Sequence, residues 1–295
     1  MSTRSVTQRQ GLLTFDEETQ NLLLYCQLYA SVRFGIGIVA SQNEPTHSHE
    51  ILHDPDGKLP RYLQLYRSLF ARAMNQRLSR TENFWAGSAT SQVKLIARCD
   101  VLHKTAYTLA NPVKDRLVET IEQWPAKSTW AATISGRTLK ATRPTFFFTD
   151  SMPEELEVDL CVPPICGDAD VFWTDVEQRV RGHEAAQREA THTEAARLQA
   201  GRARRLRDVM GRQNVMKQVE QGICLGSRRF RRAINPRFAC AAAKLRVHIL
   251  HEHEIWQQAY RAAFLRWRIG ETCEFPVGTW ALRHLVNDQP LIEKI

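Results

Sequence analysis

Asn43-Glu44-Pro45-Thr46-His47-Ser48-His49-Glu50-Ile51-Leu52 is the stretch that decides how this chain is read. A strand turns residues i and i+2 to the same face. Read as a strand, the stretch projects His47 and His49 to one side, where two imidazoles can grip one metal ion. Downstream, residues 100–113 run Asp-Val-Leu-His-Lys-Thr-Ala-Tyr-Thr-Leu-Ala-Asn-Pro-Val. As a helix they place Tyr107 and Asn111 one turn apart on one face. A two-histidine metal site facing a helix with one tyrosine is a reagent set for attacking a phosphodiester. The metal polarises the phosphate, and the phenol is the nucleophile.

The flanking pattern sets the fold. Asp16 is placed to cap a helix over residues 17–34, and Gly35 ends it. Leu23, Leu24, Leu28, Tyr29 and Val32 recur there at helical spacing. Ile36, Ile38 and Val39 start a strand, and Pro45 suggests an interruption or an edge. Asp54-Pro55-Asp56-Gly57 is turn chemistry, and residues 59–78 read as a second long helix. Residues 91–96 read as a strand, and the tyrosine helix breaks before Pro112. Residues 1–12 offer at most a short edge strand. The order helix–strand–strand–helix–strand–helix predicts an α+β domain over residues 1–130. Its expected form is a ferredoxin-like plait, an antiparallel sheet with helices on one face. Residues 131–170 read as a connector packing on it, strand-like at Thr145-Phe146-Phe147-Phe148 and at 156–160. Residues 171–295 read as a basic, mostly helical C-terminal extension, with helices over 172–212 and 238–269.

The chain has 295 residues, 43% of them hydrophobic, which suffices for a packed core. Its formal net charge of +8 favours a polyanionic partner, and arginine, the better phosphate fork, leads lysine in the second half. Seven cysteines lie scattered without a CxxC pair, which argues against a zinc ribbon and for free thiols in a reducing cytoplasm. The first ten residues hold no apolar leader, and no run of 18 apolar residues predicts a membrane helix. The oligomeric state, monomer or dimer, is left open.

Ten histidines make a lone HxH a weak signal, and a second pair occurs at His251-Glu252-His253. That pair lies in a helical segment, where i and i+2 sit about 200° apart and cannot chelate one ion. The first pair lies in a strand context and survives this test. On the tyrosine helix, Val101, Leu102, Thr105, Ala106, Leu109 and Ala110 make a buried side, while Asp100, His103, Lys104, Tyr107 and Asn111 gather on the other. A phenol needs a nearby cation or proton acceptor to attack phosphorus, and Lys104 is placed to supply charge or to hold a phosphate.

Several blocks resemble one family. They are Thr7-Gln8-Arg9-Gln10, Leu23-Leu24-Tyr25-Cys26, His47-Ser48-His49, Asp54-Pro55-Asp56-Gly57-Lys58-Leu59-Pro60 and Asn83-Phe84-Trp85. Above all there is Ala106-Tyr107-Thr108-Leu109-Ala110-Asn111-Pro112-Val113, followed by Leu117-Val118 and Trp124-Pro125. In collinear order over residues 3–130, they are similar to the REP-associated tyrosine transposases of the HUH single-strand transposase superfamily. Phe275-Pro276-Val277-Gly278-Thr279-Trp280 resembles the extension of longer bacterial members. The resemblance implies an enzyme that cuts and rejoins single-stranded DNA near hairpins. It implies that His47, His49 and Asn111 hold Mg²⁺ or Mn²⁺ and that Tyr107 forms a 5′-phosphotyrosine link while freeing a 3′-OH. It also implies the ferredoxin-like fold. The chain departs from the family pattern at Ser48, where an apolar or aromatic residue is usual, and at the polar run Ala40-Ser41-Gln42-Asn43-Glu44. The first sheet strand is expected to be mostly missing.

Other side chains suggest a nucleic-acid surface. Arg61, Arg67 and Arg72 on the second helix can track a DNA backbone, and Phe84 and Trp85 can stack on a base or fill the core. The run from Arg179 to Arg207 can grip a hairpin stem or form a solvated face. Three readings stand at this point: a metal-dependent tyrosine transposase, a catalytically impaired protein of the same fold that binds structured nucleic acid, and a metal-dependent hydrolase of a small substrate.

Overall fold

Six elements, β-α-β-β-α-β, build the sheet domain: β1 (Ser2–Ser5), α1 (Glu17–Phe34), β2 (Gly37–Glu44), β3 (His47–His53), α2 (Leu59–Arg77) and β4 (Ser91–Gln92). The computed structural model describes residues 1–87, 90–126, 128–199 and 238–277. The sheet order is β2-β3-β1-β4, and every neighbouring pair is antiparallel. This is the ferredoxin-like arrangement the element order predicts. The first strand is neither at the edge nor missing. It has four residues and lies between β3 and β4, paired on both sides. Backbone pairing, which needs no apolar side chain, places it there; its polar sequence hid that position.

Local chemistry sets the boundaries. Asp16 accepts a hydrogen bond from the Thr19 amide at 2.8 Å, capping α1 with Glu17 and Glu18 in the first turn. Gly35 closes the helix at φ 67, where its amide donates to Ser31 O. Pro45 does not interrupt a strand. Pro45-Thr46 is the two-residue connection of a hairpin whose first pair is Glu44 opposite His47. At Gly37 a Cβ would lie 2.5 Å from Cys161 Sγ, because Cys161 donates its amide to Ile38 O beside it.

The two faces of the sheet carry different layers. Ser2, Ser41 and Glu50 turn toward α1 and α2, where Gln27 and Arg67 hydrogen-bond to them. Thr3, Ala40, Gln42, Glu44, His47, His49 and Ile51 turn the other way. That face is covered by α3 (Arg98–Leu109) and the short α4 (Asn111–Lys114), packed through Val101, Leu102, Ala106 and Leu109. A third helical segment therefore covers the second face, beyond the one-sided arrangement expected. The outer edge of β2 is capped by α5 (Thr129–Ile134): Thr129 Oγ1 accepts from the Ser41 amide at 3.0 Å.

Around this core, β6 (Thr138–Thr142) and β7 (Glu155–Asp159) form an antiparallel hairpin against α1. The expected strand at residues 145–148 is instead a loop, with Phe147 at φ 71 and Phe148 edge-on to Tyr25. Helix α6 (Ala169–Gln199) packs on α3 through Phe172, Trp173, Val176 and Val180. Arg202, Arg204, Arg205 and Arg207, expected on the same helix, lie outside the described residues, as do residues 278–280. Strand β5 (Lys94–Leu95) pairs in parallel with β8 (Phe238–Ala239), and α7 (Ala243–Arg268) follows. No described helix is long and apolar enough to cross a membrane.

Candidate metal and tyrosine site

Strand register brings the two histidines together. Their rings stand edge to face at 4.6 Å between centroids. Each Nδ1 is held by a threonine hydroxyl: Thr46 Oγ1 lies 3.0 Å from His47, and Thr3 Oγ1 lies 2.9 Å from His49. These contacts fix the ring orientations, as outer partners of metal-binding histidines do. Burial, with the nearby Arg9 charge, pulls the His47 pKa down to about 4, so the ring is neutral at neutral pH and has a lone pair to offer.

Glu44 is the residue that sequence reasoning missed. It is buried, its Oε2 lies 3.4 Å from His47 Nε2, and its Oε1 accepts a hydrogen bond from Asn111 Nδ2. Burial pushes its carboxyl well above the usual range, the Asp115 charge adds to this, and the Asn111 donor opposes it. The signal was present, since a two-residue connection over Pro45-Thr46 must pair residue 44 with residue 47. Gln42, opposite His49 on the same face, is the second residue missed. Its Oε1 is buried and has no hydrogen-bond partner among the described residues.

Asn111 arrives on α4. Pro112 sits in the first turn of that segment, where its missing amide costs no helical bond. The Lys114 amide still bonds to Ala110 O at 3.0 Å, so the chain continues past the break. Asn111 is therefore buried against Glu44, and Tyr107, four residues earlier, is half-buried. Two ammonium groups flank the Tyr107 ring: Lys104 Nζ at 5.2 Å from the centroid and Lys114 Nζ at 3.7 Å. Lys114 was not among the expected residues, although position i+7 from Tyr107 falls on the same helical face. Asp100, expected with the reactive groups, is buried and structural. It caps α3 through the Ala97 amide at 3.0 Å and accepts from the Ala241 amide at 3.1 Å.

The donor chemistry suits a divalent cation. Two imidazoles, a buried carboxyl group and the amide oxygens of Asn111 and Gln42 belong to one sheet face and its covering helix. Imidazole beside oxygen suits Mn²⁺ better than Mg²⁺. Among the described residues, no three His, Cys, Asp or Glu side chains converge as a complete shell, so the amide oxygens would have to contribute.

The expected DNA-contacting residues are not at this site. Arg67 is buried across the sheet, bonded to Glu50 Oε2 at 3.0 Å, Ser2 Oγ at 2.8 Å and Thr90 Oγ1 at 2.8 Å. Its planar fork is used up by a carboxylate inside the protein, which corrects the expectation that it tracks DNA. Trp85 is likewise core: its indole donates to Arg67 O at 2.9 Å, and its ring packs on Phe70 and Phe84. Arg61 and Arg72 are exposed, but they lie on α2, behind the sheet, over the rings of Phe34 and Phe147.

No family model matches the chain, and no curated protein matches it. A solved structure described as a REP-associated tyrosine transposase bound to a REP hairpin is similar over 45% of this chain and 77% of its own, at 20% identity and a TM-score of 0.37.

Proposed function

We propose that this chain is a metal-dependent, single-tyrosine endonuclease and strand transferase acting on single-stranded DNA beside hairpins. The observation that carries this reading is the Asn111–Glu44 hydrogen bond next to His47, which joins the tyrosine-bearing segment to the histidine face. His47, His49 and Asn111, with Glu44 beside them, would hold Mg²⁺ or Mn²⁺. Once bound, the ion would polarise the scissile phosphate and offset the charge that develops on it.

The remaining steps belong to the chain's own side chains. Lys104 and Lys114 stabilise negative charge on the Tyr107 oxygen and on the phosphate it approaches. Tyr107 Oη attacks phosphorus, and the bond from phosphorus to the 3′ oxygen breaks. That oxygen leaves with a proton as a 3′-OH, and the 5′-phosphate stays on the tyrosine. Attack by another 3′-OH reverses these events: the phosphotyrosine bond breaks and the phenol regains its proton. The bond energy is kept in the covalent link, so no nucleotide triphosphate is consumed.

The test is a labelled single-stranded hairpin oligonucleotide incubated with the protein and Mn²⁺ or Mg²⁺, then run on a denaturing gel. The expected result is a slow covalent band that is absent with Tyr107→Phe and with EDTA. If varied hairpins bind but give no band, the transferase reading fails and the impaired nucleic-acid-binding reading replaces it.

A further inference from the structure

Helix α6 does more than cover α3. Its seat is packed and paired: Phe172, Trp173, Val176 and Val180 are buried, Arg98 pairs with Asp175 at 2.7 Å, and Glu184 accepts from the Ile121 amide at 2.9 Å. At the solvent rim of this seat, basic groups from three elements lie near one another, two of them against the Tyr107 ring. His103 and Lys104 come from α3, Lys114 from α4, and Arg179 and His183 from α6. The His103 and His183 rings are 6.5 Å apart, and both lysines reach the Tyr107 ring.

The contrast with Arg181 is informative. Two residues from Arg179 on the same helix, Arg181 is engaged by Glu122 at 2.7 Å, Glu184 at 3.1 Å and Glu177 at 3.8 Å. Arg179 has only the carbonyl of Asp175, one turn back on its own helix, and none of the five rim groups has an ion pair among the described residues. Burial and mutual repulsion lower the proton affinity of three of them. His103 is held down by burial and then by Lys104, Lys114 and Arg179; Lys114 by burial and Lys104; His183 by burial, Lys114 and His103. Asp100 opposes this at His103, and Asp115 opposes it at Lys114. A surface that gathers two ammonium groups, a guanidinium and two imidazole donors, with only Asp100 and Asp115 opposing them, favours an anion spanning it.

We propose that this rim is a subsite for the phosphate backbone of single-stranded DNA, in which Arg179 and His183 of α6, with His103, hold the strand adjoining the phosphate that Lys104 and Lys114 present to Tyr107. The proposal rests on the nucleic-acid reading above. It makes the extension helix part of the substrate site.

The experiment measures binding of a hairpin oligonucleotide with a single-stranded flank by fluorescence anisotropy across a salt series. Three proteins are compared: wild type, Arg179→Gln/His183→Gln and Arg179→Lys. The double glutamine variant is expected to bind about tenfold more weakly and to lose about one unit of salt slope, from the Arg179 charge, with the neutral His183 contributing a hydrogen bond. Arg179→Lys, which keeps the charge, is expected within about threefold of wild type. Unchanged affinity and slope in the double variant would overturn the subsite. So would a loss in Arg179→Lys as large as in the double variant, since the effect would then be structural. The covalent-band assay on wild type separates the two claims. Binding that depends on Arg179 and His183 without a band keeps the subsite and removes the transferase; a band with no such dependence does the reverse; absence of binding removes both.

Discussion

His49 and Glu50 are neighbours on β3 and face opposite sides of one sheet. Glu50 is sealed under α1 and α2, where Arg67 and Gln27 bond to its two oxygens. His49 faces α3, with one ring nitrogen held by Thr3, and around it lie an orphaned Gln42 oxygen and a Glu44 carboxyl crowded by Asp115. Both faces are polar at the centre of the domain, where apolar packing would be expected. One pairs the Glu50 carboxylate with the Arg67 guanidinium and the Gln27 amide, while Asn43 Oδ1, Ser48 Oγ and Tyr62 Oη on the same side have no hydrogen-bond partner among the described residues. The other gathers potential metal donors and is rimmed by cations. Neither buried polarity nor a missing partner tells the faces apart; what sets the α3 face apart is two imidazoles beside a carboxyl and a carboxamide, with a tyrosine and two ammonium groups at its rim.

Substitutions break this comparison in graded ways. Glu50→Ala would strand the buried Arg67 charge and cost about 3–5 kcal/mol in urea denaturation, with a change far below that marking the network as dispensable. Thr3→Val would free the His49 ring to turn and lower Mn²⁺ affinity about 10–100-fold by calorimetry, with little loss of stability. Glu44→Gln would remove a carboxylate disfavoured by burial and by Asp115, and so raise the stability of the metal-free protein by about 1 kcal/mol. Glu50→Gln would move stability the other way, and equal signs for the two glutamine variants would erase the distinction between the faces. The smallest effect is expected at Glu122, whose carboxyl is held down at about 2, chiefly by the hydrogen bond from Arg181. A carboxylate with a lowered native pKa adds stability above its unfolded value near 4.5 and loses it as pH falls toward 2. Glu122→Gln should flatten that acid limb while changing stability at pH 7 by only a few tenths of a kcal/mol, because the pair is largely exposed.

The sequence carried the scaffold and half of the site. Helix α1 was legible from the Asp16 cap to Gly35, because capping and periodicity are local signals. The histidine pair and the Tyr107–Asn111 turn were legible because their spacing matches strand and helix periods. Glu44 and Gln42 escape because, in the sequence alone, Pro45 suggests an interruption or an edge instead of a hairpin connection, and cross-strand register follows only once that connection is known. Arg67 was placed on the surface because helical spacing does not reveal which polar group waits on the facing sheet. The central position of β1 was hidden because four polar residues carry no periodic signature, and their place is fixed by pairing on both sides.

The most direct measurement is Mn²⁺ binding to the DNA-free protein, followed by electron paramagnetic resonance in wild type, His49→Ala and Gln27→Ala. If the α3 face is the metal site and the α1 face is structural, wild type and Gln27→Ala bind one Mn²⁺ with nitrogen coupling. His49→Ala, with its circular dichroism unchanged, binds none. Equal Mn²⁺ affinity in His49→Ala and wild type, or no binding by the folded wild-type protein, would contradict the assignment of the site.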